Sequence, residues 1–116
     1  MSLSKRIDSF RYAVKGLAEL LVSQANARIH LAVAVAAVGA GFYFCISSWE
    51  WVAITGCIAA VFALEAVNTA LEYLTDLVSP DHHPLAGKVK DVAAAAVLIV
   101  AIGSVIVGLI IFVPKF

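Results

Sequence analysis

A chain of 116 residues with eight Lys and Arg against eight Asp and Glu, 63% hydrophobic and only 14% charged, lacks the surface of a water-soluble domain. A soluble protein this small needs roughly a quarter of its residues charged, so the mean hydropathy of +1.00 points to lipid as the solvent. The zero formal net charge leaves no basic stripe for nucleic acid. Two cysteines in apolar runs, Cys45 and Cys57, rule out a disulfide scaffold and read as small buried hydrophobes.

In chain order, the first predicted element is a helix over 5–24. Ile7, Phe10, Val14, Leu17 and Leu21 recur at helical spacing while Lys5, Arg6, Asp8, Arg11, Lys15 and Glu19 take the other faces, the pattern of a helix lying on a membrane surface. A first span is expected over 29–47. It is interrupted by nothing more polar than His30 and Tyr43 and is just long enough to cross a hydrocarbon core.

The turn that follows, Ser47-Ser48-Trp49-Glu50-Trp51, carries two interfacial tryptophans with Glu50 between them as a solvated charge. A second span, 51–78, is apolar to Leu64 and then carries Glu65, Asn68, Glu72 and Asp76 before the stop signal Ser79-Pro80. A connector over 79–90 holds Asp81, His82, His83, Lys88 and Lys90, and a third span, 91–113, ends at Pro114-Lys115. Asp91 at its start suits a helix cap, and the adjacent histidines lack the spacing of a metal site. Three internal apolar runs of this length argue against a cleaved signal peptide.

Seven of the eight basic residues precede the first span or lie between the second and third, which makes that side cytoplasmic. All charges except Glu50 and Lys115 fall toward it. On a helix, Glu65, Asn68, Glu72 and Asp76 project within an arc of roughly 80°. Each intramembrane charge costs about 2.5–3.5 kcal/mol at a bilayer centre, so such residues face a bundle interior and mark function unless they form a purely structural polar clamp.

Depth narrows the chemistry. Counted from Trp51, Glu65 lies about 21 Å along the helix and Glu72 about 31 Å, against a core of about 30 Å. That places one carboxylate within reach of a lipid hydroxyl and the other at the level of a soluble partner. A transmembrane proton path fits less well, because the outer half from Trp51 to Leu64 has only Thr55 as a polar side chain. A small oligomeric transporter using Glu65 as proton carrier would bind no nucleotide, and a catalytically silent membrane subunit, the alternative that Gln24 supports, would show no lipid-dependent ATP consumption. The chain contains no Gly-rich phosphate cradle.

The string Glu65-Ala66-Val67-Asn68-Thr69-Ala70-Leu71-Glu72, followed by Asp76, His83-Pro84-Leu85-Ala86 and Lys90-Asp91-Val92-Ala93-Ala94-Ala95-Ala96-Val97, closely resembles the prokaryotic diacylglycerol kinase family, which includes the undecaprenol kinases. The likeness runs from Phe10-Arg11-Tyr12-Ala13 and Ala27-Arg28-Ile29-His30-Leu31 to Ile110-Ile111-Phe112-Val113-Pro114-Lys115, and the Val78-Ser79-Pro80 string looks more like the undecaprenol branch. The resemblance implies an all-α integral-membrane lipid kinase of the bacterial inner membrane, with three transmembrane helices and a surface helix, working as a homotrimer with shared cytoplasmic active sites.

By that analogy Glu65 is the general base on the lipid hydroxyl, with Ala94 beside the lipid. Glu72 holds Mg2+ on the ATP phosphates, with Asn68 next to it and Asp76 in support. Lys90 and Asp91 contact the phosphates and nucleotide, and Asp81, His82 and His83 lie along the nucleotide. Tyr12 and Lys5 match nucleotide-contacting positions. The family's second metal-binding glutamate is replaced here by Gln24, in Ser23-Gln24-Ala25. Gln offers a carbonyl oxygen but removes one negative charge from a site for a hard cation, so a catalytically weakened kinase is the expectation attached to it.

Overall fold

The computed structural model describes residues 2–116 as helices joined by short connections: α1 (Leu3–Ser23), α2 (Ala25–Tyr43), α3 (Ser48–Val78) and α4 (Pro84–Phe112), closed by a 3-10 turn over Val113–Lys115. Each boundary has a local cause. Ser2 caps α1 by accepting from Lys5 N–H at 3.3 Å. Gln24 alone separates α1 from α2, its backbone extended at φ −113°, ψ 114°. The Arg28 guanidinium then donates to the Leu21 and Val22 carbonyls at 3.0 and 2.8 Å, satisfying acceptors that the end of α1 leaves open.

α2 ends in a Schellman motif: Ile46 N–H bonds Gly41 O at 3.1 Å and Cys45 N–H bonds Phe42 O at 3.3 Å. Cys45 takes the left-handed position at φ 52° that glycine usually fills. This corrects the expectation for that residue. Cys45 is exposed, because the left-handed turn points it off the helix, whereas Cys57 is half-buried; both are free thiols.

α3 opens on a capping box in which Glu50 N–H bonds Ser47 Oγ at 3.2 Å and Ser47 N–H bonds Glu50 Oε1 at 2.9 Å. Glu50 is therefore no simple solvated charge. Its other oxygen accepts from Lys115 Nζ at 3.0 Å, so the two charges set apart from all the others by the sequence meet each other.

The start of α4 also differs from expectation. His83 Nδ1 accepts from Leu85 N–H at 3.0 Å and Pro84 occupies the first helical turn, where its fixed φ suits it. The connector shrinks to residues 79–83, Lys88 and Lys90 become helical, and Asp91 lies too far inside α4 to cap it.

Among the described residues three helical stretches are long and apolar enough to cross a membrane: Ala25–Tyr43, Ser48–Val78 and Pro84–Lys115. At 1.5 Å per residue the 31-residue α3 runs roughly 46 Å, well beyond a core of about 30 Å. α3 and α4 pack as an antiparallel hairpin, while α2 and α1 lie more lightly against α3. Ile46, Ile54 and Ile111 form the packed core, with Phe44, Trp51 and Phe112 against them. The opposite end of the hairpin carries the buried polar residues Glu65, Asn68 and Thr69, while the outward faces of α2 and α4 expose Val33, Val35, Leu98 and Ile99. Of α1 only Leu20 is buried.

Gly41 is where α2 meets the start of α3: a Cβ built there would lie 2.7 Å from Trp51 Cη2 and 3.1 Å from Ile46 Cδ1. The Trp51 ring is held by Phe42 at a centroid distance of 4.8 Å and has little room to swing. Gly41→Ala is expected to cost about 1–3 kcal/mol through overpacking, read as a lower thermal midpoint in detergent; an unchanged midpoint would show that the ring moves freely.

Candidate active site at the polar end of the hairpin

The carboxylate face of α3 turns inward as its spacing requires, and burial is graded along it. Glu65 is 1% exposed, Asn68 is 8% exposed, Glu72 is half-buried and Asp76 is exposed. Glu65 Oε2, Asn68 Oδ1 and Thr69 Oγ1 are buried with no hydrogen-bond partner among the described residues. Native structures rarely leave such atoms unpaired, so these three atoms within two helical turns keep hydrogen-bonding capacity to spare.

Asn68 Nδ2 donates to Glu72 Oε1 at 3.4 Å. The amide therefore serves Glu72, one turn further on, and does not hydrogen-bond Glu65. The residue that does approach Glu65 is His30 of α2, whose Nε2 lies 3.7 Å from Oε2. Spacing along α3 gave no hint of this pairing, although a titratable side chain inside an apolar span was itself a signal.

At the far end of the face, Lys90 Nζ lies 2.6 Å from Asp76 Oδ1. This ties the start of α4 to the end of α3 and sets the lysine beside the carboxylate row, with Asp91 exposed next to it. Asp81 and His82 are exposed on the connector, and His83 is engaged as the α4 cap. Ala94 is exposed while its neighbour Ala93 is buried.

Gln24 is half-buried at the α1–α2 joint. The joint is held to α3 by the Tyr73 hydroxyl, which donates to Glu19 Oε1 at 2.9 Å and lies 3.1 Å from Ser23 Oγ. Sequence reasoning missed that clamp because its partners are 54 and 50 residues apart. Lys5 and Tyr12 are exposed on α1, and among the described residues neither side chain hydrogen-bonds to the α3 face.

Two clefts flank this face. One of about 530 Å³ lies between α2, α3 and α4, lined by His30, Val33, Ala37, Val61, Ala101 and Val105 among other apolar residues. The other, of about 510 Å³, separates α1 from α3 beside Leu20, Thr69 and Tyr73.

The donor set suits a hard divalent cation that is shared with a ligand. Among the described residues no three His, Cys, Asp or Glu side chains converge into a closed cage. Magnesium is typically held by one or two carboxylates while phosphates and water complete its shell. Glu72 and the unpaired Asn68 Oδ1, with Asp76 already paired to Lys90, fit that description.

Among the described residues the fold and site define a helical protein with three stretches long and apolar enough to cross a membrane and a row of carboxylates along one face of α3. Residues 11–112 match the family described as prokaryotic diacylglycerol kinase. The chain is 42% identical to the undecaprenol kinase of Bacillus subtilis over 113 residues, covering 97% of this chain and 92% of that protein. It is 43% identical to the diacylglycerol kinase of Synechocystis sp. over 86% of this chain and 58% of that one. To the diacylglycerol kinase of Escherichia coli it is 30% identical over 82% and 78% of the two chains. The chain belongs to the prokaryotic diacylglycerol kinase family, and as a member it is a lipid kinase.

Proposed function

We propose that the protein transfers the γ-phosphoryl group of ATP to a membrane lipid alcohol, undecaprenol in preference to diacylglycerol, at the cytoplasmic side of the bacterial inner membrane. The observation that carries this reading is Glu65, a nearly dry carboxylate with an unpaired oxygen at the apolar end of a polar row. The reach of the match to the undecaprenol kinase of Bacillus subtilis, 97% of this chain and 92% of that protein, supports the choice of lipid.

In this mechanism the lipid hydroxyl approaches Glu65, which accepts its proton as the oxygen attacks the γ-phosphorus. The new P–O bond forms as the bond to the bridging β-phosphate oxygen breaks, leaving lipid phosphate and ADP. Phosphoryl transfer asks the protein mainly for alignment and charge neutralisation. Glu72, with Asn68 and Gln24, would hold Mg2+, which when bound neutralises charge on the phosphates.

Lys90 exchanges Asp76 for phosphate oxygens, a swap of one charge-assisted contact for another, and Asp91 lies beside it. Asp81, His82 and His83 line the nucleotide, Tyr12 and Lys5 close over it from α1 lying on the membrane surface, and Ala94 borders the lipid. The working unit is a homotrimer. Gly39, Gly103 and Gly108, where an added Cβ would meet nothing within 4 Å, leave room for neighbouring protomers to approach closely.

The test is transfer from radiolabelled ATP in mixed micelles offering undecaprenol or diacylglycerol. Labelled undecaprenyl phosphate is expected to predominate. Equal or greater labelling of diacylglycerol overturns the lipid choice, and no transfer to either overturns the kinase reading.

Gln24→Glu supplies the charge that Gln24 lacks and is expected to lower the magnesium concentration for half-maximal turnover and to raise turnover by about 10-fold or more, the scale on which groups around a metal act. No gain in either would show that Gln24 does not weaken this enzyme.

A further inference from the structure

His30 sits in the second turn of α2 and faces Glu65 across the α2–α3 seam. Its side chain is 22% exposed where that of Glu65 is 2% exposed. The Nε2 to Oε2 separation of 3.7 Å exceeds the usual N–H···O range of about 2.7–3.2 Å, so a closure of roughly half an ångström makes a hydrogen bond to the one Glu65 oxygen that is buried without a partner. Asn68 is not available for this, because its amide is turned to Glu72. His30 also lines the 530 Å³ apolar cleft, whereas Glu65 does not. The imidazole thus stands between the apolar cleft and the carboxylate.

We propose that His30 is a positioning residue for Glu65: its N–H closes onto Oε2, fixes the carboxylate rotamer and keeps the other oxygen free for the lipid hydroxyl. The arrangement inverts the familiar triad logic in which a carboxylate orients a histidine. The proton removed from the lipid goes to the free oxygen of Glu65, and His30 keeps its own proton throughout, so its task is alignment. This inference rests on the reading of Glu65 as the base.

Two variants separate positioning from packing. His30→Leu keeps apolar bulk against the cleft but has no donor, and His30→Gln keeps an N–H donor on a flexible stem. With both confirmed as folded by thermal midpoint and size exclusion, His30→Leu is expected to lower kcat for lipid phosphorylation by about 10- to 100-fold, part of the roughly 10²–10⁴ that a general base supplies. The KM for ATP should stay within about twofold, and His30→Gln should recover most of the lost turnover.

Wild-type turnover in His30→Leu overturns the inference. So does a rise in the KM for ATP that accounts for the whole loss, or a His30→Gln variant that folds yet is as slow as His30→Leu. If His30→Leu does not fold, His30→Gln alone decides, near-wild-type kcat supporting the role and a 10-fold or larger loss overturning it. A wild-type protein that labels neither lipid fails the kinase reading itself and takes this inference with it.

Discussion

Glu65→Gln is expected to lower kcat by about 10²–10⁴-fold, the range a positioned general base contributes, while the folded protein becomes as stable as wild type or more so. Both halves follow from the same burial. The side chain is 2% exposed, and its Oε2 has no hydrogen-bond partner. A carboxylate in that setting is costly for the fold, and an amide of equal size removes the charge while still accepting a hydrogen bond. Activity and stability are thereby opposed at a single residue. Lipid-phosphorylation kinetics and thermal midpoints on one preparation check the pair; a variant that keeps more than a tenth of wild-type kcat would remove Glu65 from the role of base.

Glu72→Gln is expected to act on a different axis. Glu72 is half-buried, about one turn nearer the end of α3 than Asn68, and it accepts from Asn68 Nδ2 at 3.4 Å. The substitution preserves an oxygen but deletes the charge that a hard cation requires. The magnesium concentration for half-maximal turnover should rise by about 10- to 100-fold, with part of the lost rate recovered at high magnesium. Glu65→Gln should leave that midpoint where it is. Magnesium titrations of both variants distinguish the roles, and equal midpoints for Glu72→Gln and wild type would take Glu72 out of the metal site.

Much of this organisation is legible in the amino-acid sequence. Apolar runs as long as Val92 to Val113 leave little choice but a long helix, and the Glu65, Asn68, Glu72 and Asp76 row follows from the 3.6-residue period alone. Contacts between helices were not legible, because they depend on how each helix is rotated and how far it slides along its neighbour. His30 opposite Glu65 and Tyr73 against Glu19 are of that kind. So is the outcome for Asn68, which could have served either flanking carboxylate and bonds Glu72. The start of α4 was misplaced for a local reason: a connector rich in charge reads as loop, yet His83 and Pro84 together make a helix start.

The two ion pairs joining α3 to α4 form a register lock. Asp76 with Lys90 ties one end of the hairpin and Glu50 with Lys115 ties the other. Between the ties lie roughly 39 Å of α3 and roughly 39 Å of α4 with its closing 3-10 turn, at about 1.5 Å per α-helical and 2.0 Å per 3-10 residue, lengths matched closely enough that both contacts form together. Sliding either helix by a single turn, about 5.4 Å, would pull both pairs apart at once. Shear within the hairpin breaks both pairs, whereas a tilt of α2 breaks neither. Such a tilt would widen the cleft that His30 lines without disturbing the row of carboxylates on α3.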